Sequence, residues 1–109
     1  MICNKITYQT KDGSDVFFCN TFGLCRLTII DGINAVFLST LVVDNTHRRQ
    51  GIATFLIQYA EQYAREKQLG AISIQVERDA WMRDWYRKLG YVEVAEGYEQ
   101  NNVLMTKFL

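Results

Sequence analysis

The sequence predicts an α+β domain, one mixed and mostly antiparallel sheet carrying two main helices. Three observations lead there. The first half consists of short β-rich runs separated by turn signals. At Gly51 the apolar period switches from two residues to 3.6. A further β-rich run, AISIQV (Ala71 to Val76), then follows that helix after a short connection, which makes strand–helix–strand a parallel crossover.

Taken in order, Ile2 to Tyr8 reads as a strand and Lys11-Asp-Gly-Ser14 as a turn. VFFCNTF (Val16 to Phe22) and LCRLTII (Leu24 to Ile30) are two further strands broken near Gly23. Asp31-Gly32 between LTII and INAVFL is a hairpin signal, so the meander ends in the strand AVFLSTLVV, Ala35 to Val43. Ile52, Phe55, Leu56, Tyr59, Ala60 and Tyr63 then fall on one helical face. Glu61, Gln62, Arg65 and Glu66 fill the other, and Gly70 stands where a C-cap glycine belongs. Asp79 is the expected N-cap of a second helix bearing Trp81, Met82, Trp85, Tyr86 and Leu89, stopped by Gly90. Tyr91 to Ala95 and Val103 to Leu109 close the sheet around the loop from Glu96 to Asn102. With no internal repeat or linker, residues 1–109 read as one domain.

The join between the apolar strand and the long helix carries the chemistry. The first turn of an α-helix leaves backbone N–H groups without intrahelical partners, and the helix dipole adds positive charge there. Phosphate is the natural ligand of such a place. Gly51 and Ala53 are small enough to let a diphosphate approach the backbone, and Arg48 and Arg49 add cationic charge. The expectation is an anion cradle for a phosphorylated cofactor. A P-loop is excluded, because G-K-[ST] is absent.

Composition narrows the partners. Apolar residues make up 49% and charged residues 22% of 109 residues, which fits a globular chain rather than a disordered one. Lysine plus arginine equals aspartate plus glutamate at twelve each, so no overall basic field draws in nucleic acid. No apolar run reaches the roughly 20 residues of a membrane span, and no signal peptide opens the sequence. Cys3, Cys19 and Cys25 form no CxxC pair, so reduced thiols in a cytoplasmic protein are expected. With a single histidine, no metal site is expected. Cys19 and Cys25 read as small apolar strand residues, Trp81 and Trp85 as core or interface residues, and His47 as a turn residue in solvent.

LSTLVVDNTHRRQGIATFLI resembles the acyl-CoA-binding segment of the GNAT superfamily of N-acetyltransferases, whose core motif is R/Q-x-x-G-x-G/A. Arg48, Gly51 and Ala53 match it. WYRKLGYVEV is similar to the family's second block, a tyrosine followed by x-x-x-G-F/Y, with Tyr86, Gly90 and Tyr91 in place. The resemblance runs from about Ala35 to Val94. It implies a sheet splayed at its centre, with acetyl-CoA as co-substrate. Leu41, Val42 and Val43 would hold the pantetheine arm. Amides from Arg48 through Gln50, Gly51, Ile52 and Ala53 to Thr54 would hold the pyrophosphate. A backbone N–H near Val42 would stabilise the oxyanion, a primary amine would attack directly, and Tyr86 would protonate the CoA thiolate.

Two departures from the family pattern stand out. Positions where relatives place a glutamate or histidine base hold Phe37 and Ser39; Glu77 and Asp79 remain as candidates, with Asp44 a third. Asp79 also stands where the family often has an asparagine. In addition, the residues between Tyr8 and Cys19 are too few for the family's two N-terminal helices, which form much of the acceptor wall. The acceptor side is therefore expected to be open or completed by a second copy in a homodimer. The alternative to an enzyme is a non-catalytic acyl-CoA-binding or interaction module of the same fold.

Overall fold

The computed structural model describes residues 6–11, 14–19, 23–29, 34–43 and 51–109. Its elements are β1 (Ile6–Lys11), β2 (Ser14–Cys19), β3 (Gly23–Ile29), β4 (Ala35–Val43), α1 (Ile52–Glu66), β5 (Ala71–Glu77), α2 (Met82–Lys88), β6 (Val92–Glu96) and β7 (Asn102–Phe108). Seven strands form one sheet in the order β1-β2-β3-β4-β5-β7-β6. Every pair is antiparallel except β4–β5, which is parallel as the crossover requires. The expected turns at Asp12-Gly13 and Asp31-Gly32 lie outside the described residues, as do Asp44, His47, Arg48, Arg49 and Gln50.

Period-two alternation sends Phe17, Cys25, Leu27, Val36, Leu38, Ile72, Ile74, Val76, Val103 and Met105 to one face of the sheet. There they meet Ile52, Leu56, Ile57, Ala60, Tyr63 and Ala64 of α1 and Tyr86 of α2. Phe17 packs between two α1 rings, 5.0 Å from Tyr59 and 5.4 Å from Tyr63. Cys25 is fully buried in this layer, and burial pushes its thiol up to about 12; it behaves as a small apolar side chain. No helix among the described residues is long and apolar enough to cross a membrane.

Three sequence expectations are corrected here. Glu61 is not on the solvent face of α1. It is 6% exposed, accepts from Tyr91 Oη at 3.2 Å and pairs with Lys107 Nζ at 3.0 Å. A carboxylate can be buried when its lone pairs find donors, and these donors come from β7 and the turn before β6, too distant in sequence for periodicity to reveal.

Gly70 is not the C-cap of α1. The helix ends at Lys67 with Gln68 left-handed at φ 60. Leu69 N donates to Ala64 O and Gln68 N to Arg65 O, each at 2.9 Å, the paired bonds of a Schellman motif. Gly70 is instead a close-approach residue: its N–H donates to Asn34 O at 2.9 Å, and a Cβ there would lie 2.7 Å from Asn34 Nδ2.

Asp79 does not cap α2, whose first turn makes no side-chain cap bond. The chain enters through tight i→i−3 turns, Ala80 N to Glu77 O and Arg83 N to Ala80 O, both 3.1 Å. These supply the entering donors with backbone acceptors and leave Asp79 to accept from Asn101 Nδ2 at 3.3 Å.

A left-handed conformation costs a residue with a Cβ about 1–2 kcal/mol, of which glycine's greater unfolded-state entropy takes back part. Gln68→Gly should therefore stabilise the fold by about 0.5–1 kcal/mol. Urea unfolding monitored by circular dichroism checks this; an unchanged or lower midpoint would contradict the cap assignment.

Candidate acyl-CoA site

The site begins where two neighbouring strands part. β4 and β5 pair from Ala35↔Ala71 to Leu38↔Ile74 and no further. Beyond that point β4 stays with β3 as far as Val43↔Gly23, and β5 stays with β7 as far as Glu77↔Asn102. Each strand is thus held by its outer partner while the two diverge. Arg26 lies opposite Thr40 and Leu27 opposite Leu38, so Ser39 is an extra residue on β4. Such a bulge bends its strand and raises its local twist, and it sits one residue past the last β4–β5 pair. Among the described residues, the backbone of β4 from Ser39 to Val43 consequently has no strand beside it on the β5 side.

At the end of this gap stands the start of α1. Gly51 is left-handed, at φ 81, and no side chain caps the helix. The first intrahelical bond runs from Phe55 N to Gly51 O at 2.9 Å, so the amides of Ile52, Ala53 and Thr54 precede the ladder and have no acceptor among the described residues. The first turn carries no acidic residue that would compete for them. Among the described residues, a Cβ built on Gly51 meets nothing within 4 Å. A second glycine seats the helix against the sheet: at Gly23 a Cβ would come within 2.9 Å of Ile52 Cγ2 and 3.1 Å of Val42 O.

Gap and helix start share one cavity of about 870 Å³. Leu41, Val42 and Val43 line it from β4, and Gly51, Ile52, Ala53 and Thr54 from α1. All seven described residues expected to hold the cofactor are therefore brought together. The third wall, formed by Trp81, Met82 and Trp85, was not foreseen; both tryptophans had been expected in the core or an interface. Trp85 is half-buried, whereas Trp81 is 74% exposed. The available signal was their position in the first turn after β5, because helices that follow parallel strands start at the same edge as the gap.

The catalytic candidates are less closely grouped. Tyr86 is 3% exposed, with its ring 4.9 Å from Trp85 and 5.6 Å from Tyr91. It does not line the cavity itself; its neighbour Trp85 does. Burial pushes the Tyr86 hydroxyl up to about 12, so it is protonated at neutral pH. None of the described buried side-chain nitrogens or oxygens lacks a partner, yet no hydrogen bond is made by the Tyr86 hydroxyl among the described residues. Its oxygen must therefore keep a small opening to solvent. Glu77 and Asp79 are both exposed at the end of β5 and outside the cavity lining. Among the described residues no cluster of side chains could hold a metal ion.

α2 is pinned to β6 by charge. Glu93 bonds Arg83 and, at 2.7 Å, Arg87, and the Arg83 hydrogen bond holds the Glu93 carboxyl below its ordinary range. On the opposite face of the sheet, Gln75 Oε1 accepts from Tyr98 N and, at 3.0 Å, from Glu99 N. That latch lays Tyr98 across β5, its ring 6.2 Å from Phe37.

The chain belongs to the GNAT family: the Acetyltransferase (GNAT) domain profile matches residues 10–93. A GNAT acetyltransferase from Elizabethkingia anophelis, solved with acetyl-CoA bound, superposes with a TM-score of 0.81 at 13% identity, over 96% of this chain and 97% of that one. The PaiA N-acetyltransferase of Thermoplasma acidophilum, solved with coenzyme A, gives 0.73 at 21% identity, over 88% of this chain and 60% of that one. Nourseothricin acetyltransferase gives 0.75 at 18% identity, over 89% and 66%. This chain thus spans less than two thirds of the last two proteins. No curated protein matches it in sequence.

Tyr86 and Tyr91 are both buried, and burial raises both hydroxyls, Tyr91 with further help from Glu61. An unfolded tyrosine ionises near 10. The stability that comes from keeping these rings neutral is thus complete below pH 10 and is lost as pH rises toward 12. For Tyr86 alone the loss amounts to about 2–3 kcal/mol. Urea midpoints at pH 8, 10 and 11.5 should fall accordingly, and Tyr86→Phe should remove part of the slope. A flat profile across that window would contradict the burial of both rings.

Proposed function

We propose that this chain is an acetyl-CoA-dependent N-acetyltransferase that passes the acetyl group directly to a primary amine, residues 1–109 acting as one domain. The observation that carries the reading is the single cavity joining a divergent β4–β5 pair to the unpartnered amides that open α1. A flexible arm ending in a diphosphate has the shape and charge this cavity complements.

Acetyl-CoA supplies a thioester, an acyl group already activated for attack. The backbone of Leu41, Val42 and Val43 holds the pantetheine arm in place of the missing strand. The amides of Ile52, Ala53 and Thr54 grip the diphosphate, with Arg48, Arg49 and Gln50 completing the cradle. An N–H near Val42, fixed by the sheet, is aimed at the carbonyl oxygen as it gains negative charge. The amine nitrogen forms the new bond to the acetyl carbon, the C–S bond breaks, and Tyr86 Oη gives its proton to the thiolate before recovering one from solvent. Phe37 cannot serve as the base and Ser39 is a poor one, so a carboxylate reached through water would take the proton lost by the amine, with Glu77, Asp79 and Asp44 the candidates. The acceptor approaches from the face that carries Tyr98 and Phe37, opposite the helices, and a second copy of the chain can complete its wall.

The second reading, an acyl-CoA-binding module without turnover, is favoured by one observation: none of Tyr86, Glu77 and Asp79 lines the cavity. Calorimetric titration with acetyl-CoA tests both readings, and no binding would overturn both. Thiol release across a panel of amines separates them, since turnover with any amine excludes a pure binder.

Tyr86→Phe should lower kcat by about 10²–10⁴-fold while leaving acetyl-CoA affinity within about twofold; wild-type turnover would remove its acid role. Gly51→Leu puts a side chain before the cradle and should weaken acetyl-CoA binding by at least about tenfold. Its cost to stability should stay near 1–2 kcal/mol, so a melting curve distinguishes a blocked cradle from a lost fold.

A further inference from the structure

Trp81 combines two properties that conflict in a protein acting alone. It is 74% exposed, although its indole is the largest apolar side chain available, and it lines the cavity that also contains the amide cradle. It is the N-cap residue of α2, but its side chain makes no cap bond. The ring is nevertheless not left to wander. It stands 6.4 Å from Trp85 at an interplanar angle of 60°, and Trp85 is itself set 4.9 Å from the buried Tyr86 ring. An edge-to-face contact of this kind engages one side of an aromatic ring and fixes its plane, leaving the rest of the indole to the cavity.

We propose that Trp81 is a stacking platform for the adenine ring of the coenzyme, making it a specificity residue for the nucleotide end rather than for the acyl group. The inference rests on the acyl-CoA reading above. In coenzyme A a single ribose separates the diphosphate from its base, so a diphosphate on the Ile52–Thr54 amides leaves the base within a nucleoside's length of the cradle. Trp81 is the exposed aromatic on that cavity's wall. Stacking on an indole buries the base's π-face without demanding hydrogen bonds. That suits a wall offering Trp81, Met82 and Trp85, which supplies apolar area and no carboxylate or amide to read base edges.

The test crosses a variant with a ligand. Trp81→Ala should weaken coenzyme A binding by about five- to a hundredfold and leave 4′-phosphopantetheine, which lacks the adenosine, within about twofold. Trp81→Phe, which keeps a ring, should recover most of the loss. In the unmodified protein, binding of 1,N6-etheno-coenzyme A should quench the fluorescence of its modified base. Equal losses for both ligands would place Trp81 on the pantetheine arm and overturn the proposal, as would unchanged coenzyme A affinity. If Trp81→Ala does not fold, the etheno measurement decides: unquenched base fluorescence at saturation overturns it. Failure of the unmodified protein to bind coenzyme A at all would instead overturn the acyl-CoA reading itself.

Discussion

The cavity in this molecule follows from a pairing that stops. In a sheet, each strand's backbone groups are satisfied on both sides, and giving up such bonds inside a protein is costly unless water or a ligand replaces them. β4 and β5 part after Leu38 and Ile74, and the fold tolerates it because β3 and β7 hold the outer sides of the two strands to their ends. The bulge at Ser39 gives the bend a cause in local geometry. A gap walled by fixed backbone is a preorganised surface, and α1 starts at its mouth because β4 ends there and the helix carries the chain back to the start of β5.

Two devices keep the mouth in shape. Gly23 lets Ile52 and the first turn of α1 come close to the end of β4. On the other side, the Arg83–Glu93–Arg87 cluster ties α2 to β6. The pairs are partly exposed, so each contributes little to stability; their effect is to orient a helix of seven residues that could not persist alone. Beneath α1, Glu61 is held by Tyr91 and Lys107, a polar contact that joins the helix to the last strand.

The order of elements was legible because each signal was local. The apolar run of β4, the change of period at Gly51 and the small residues opening α1 can all be read within one window of sequence, and they placed the end of β4 and the start of α1. The second block, around Tyr86 and Gly90, located α2. What stayed hidden depended on partners far apart in the chain. Glu61 looked like a solvent residue because its charge partner, Lys107, lies 46 positions away. Gln68 gave no cue for a left-handed cap, since Gly70 two residues on offered the usual one. Trp81 reads as a core or interface residue because an indole ordinarily belongs in such places; only the path of the gap shows that its wall needs a third side.

The Gln75 latch has a consequence for how such a scaffold could diversify. One side-chain oxygen fastens the link between β6 and β7 to β5, and Gly97 is tightly enclosed by Gln75 and Asn102. The attachment point is therefore set by two positions, while Tyr98 to Gln100 are exposed and bear no load in the core. New side chains can be tried there while the latch, which uses only backbone donors from this turn, keeps its path unchanged.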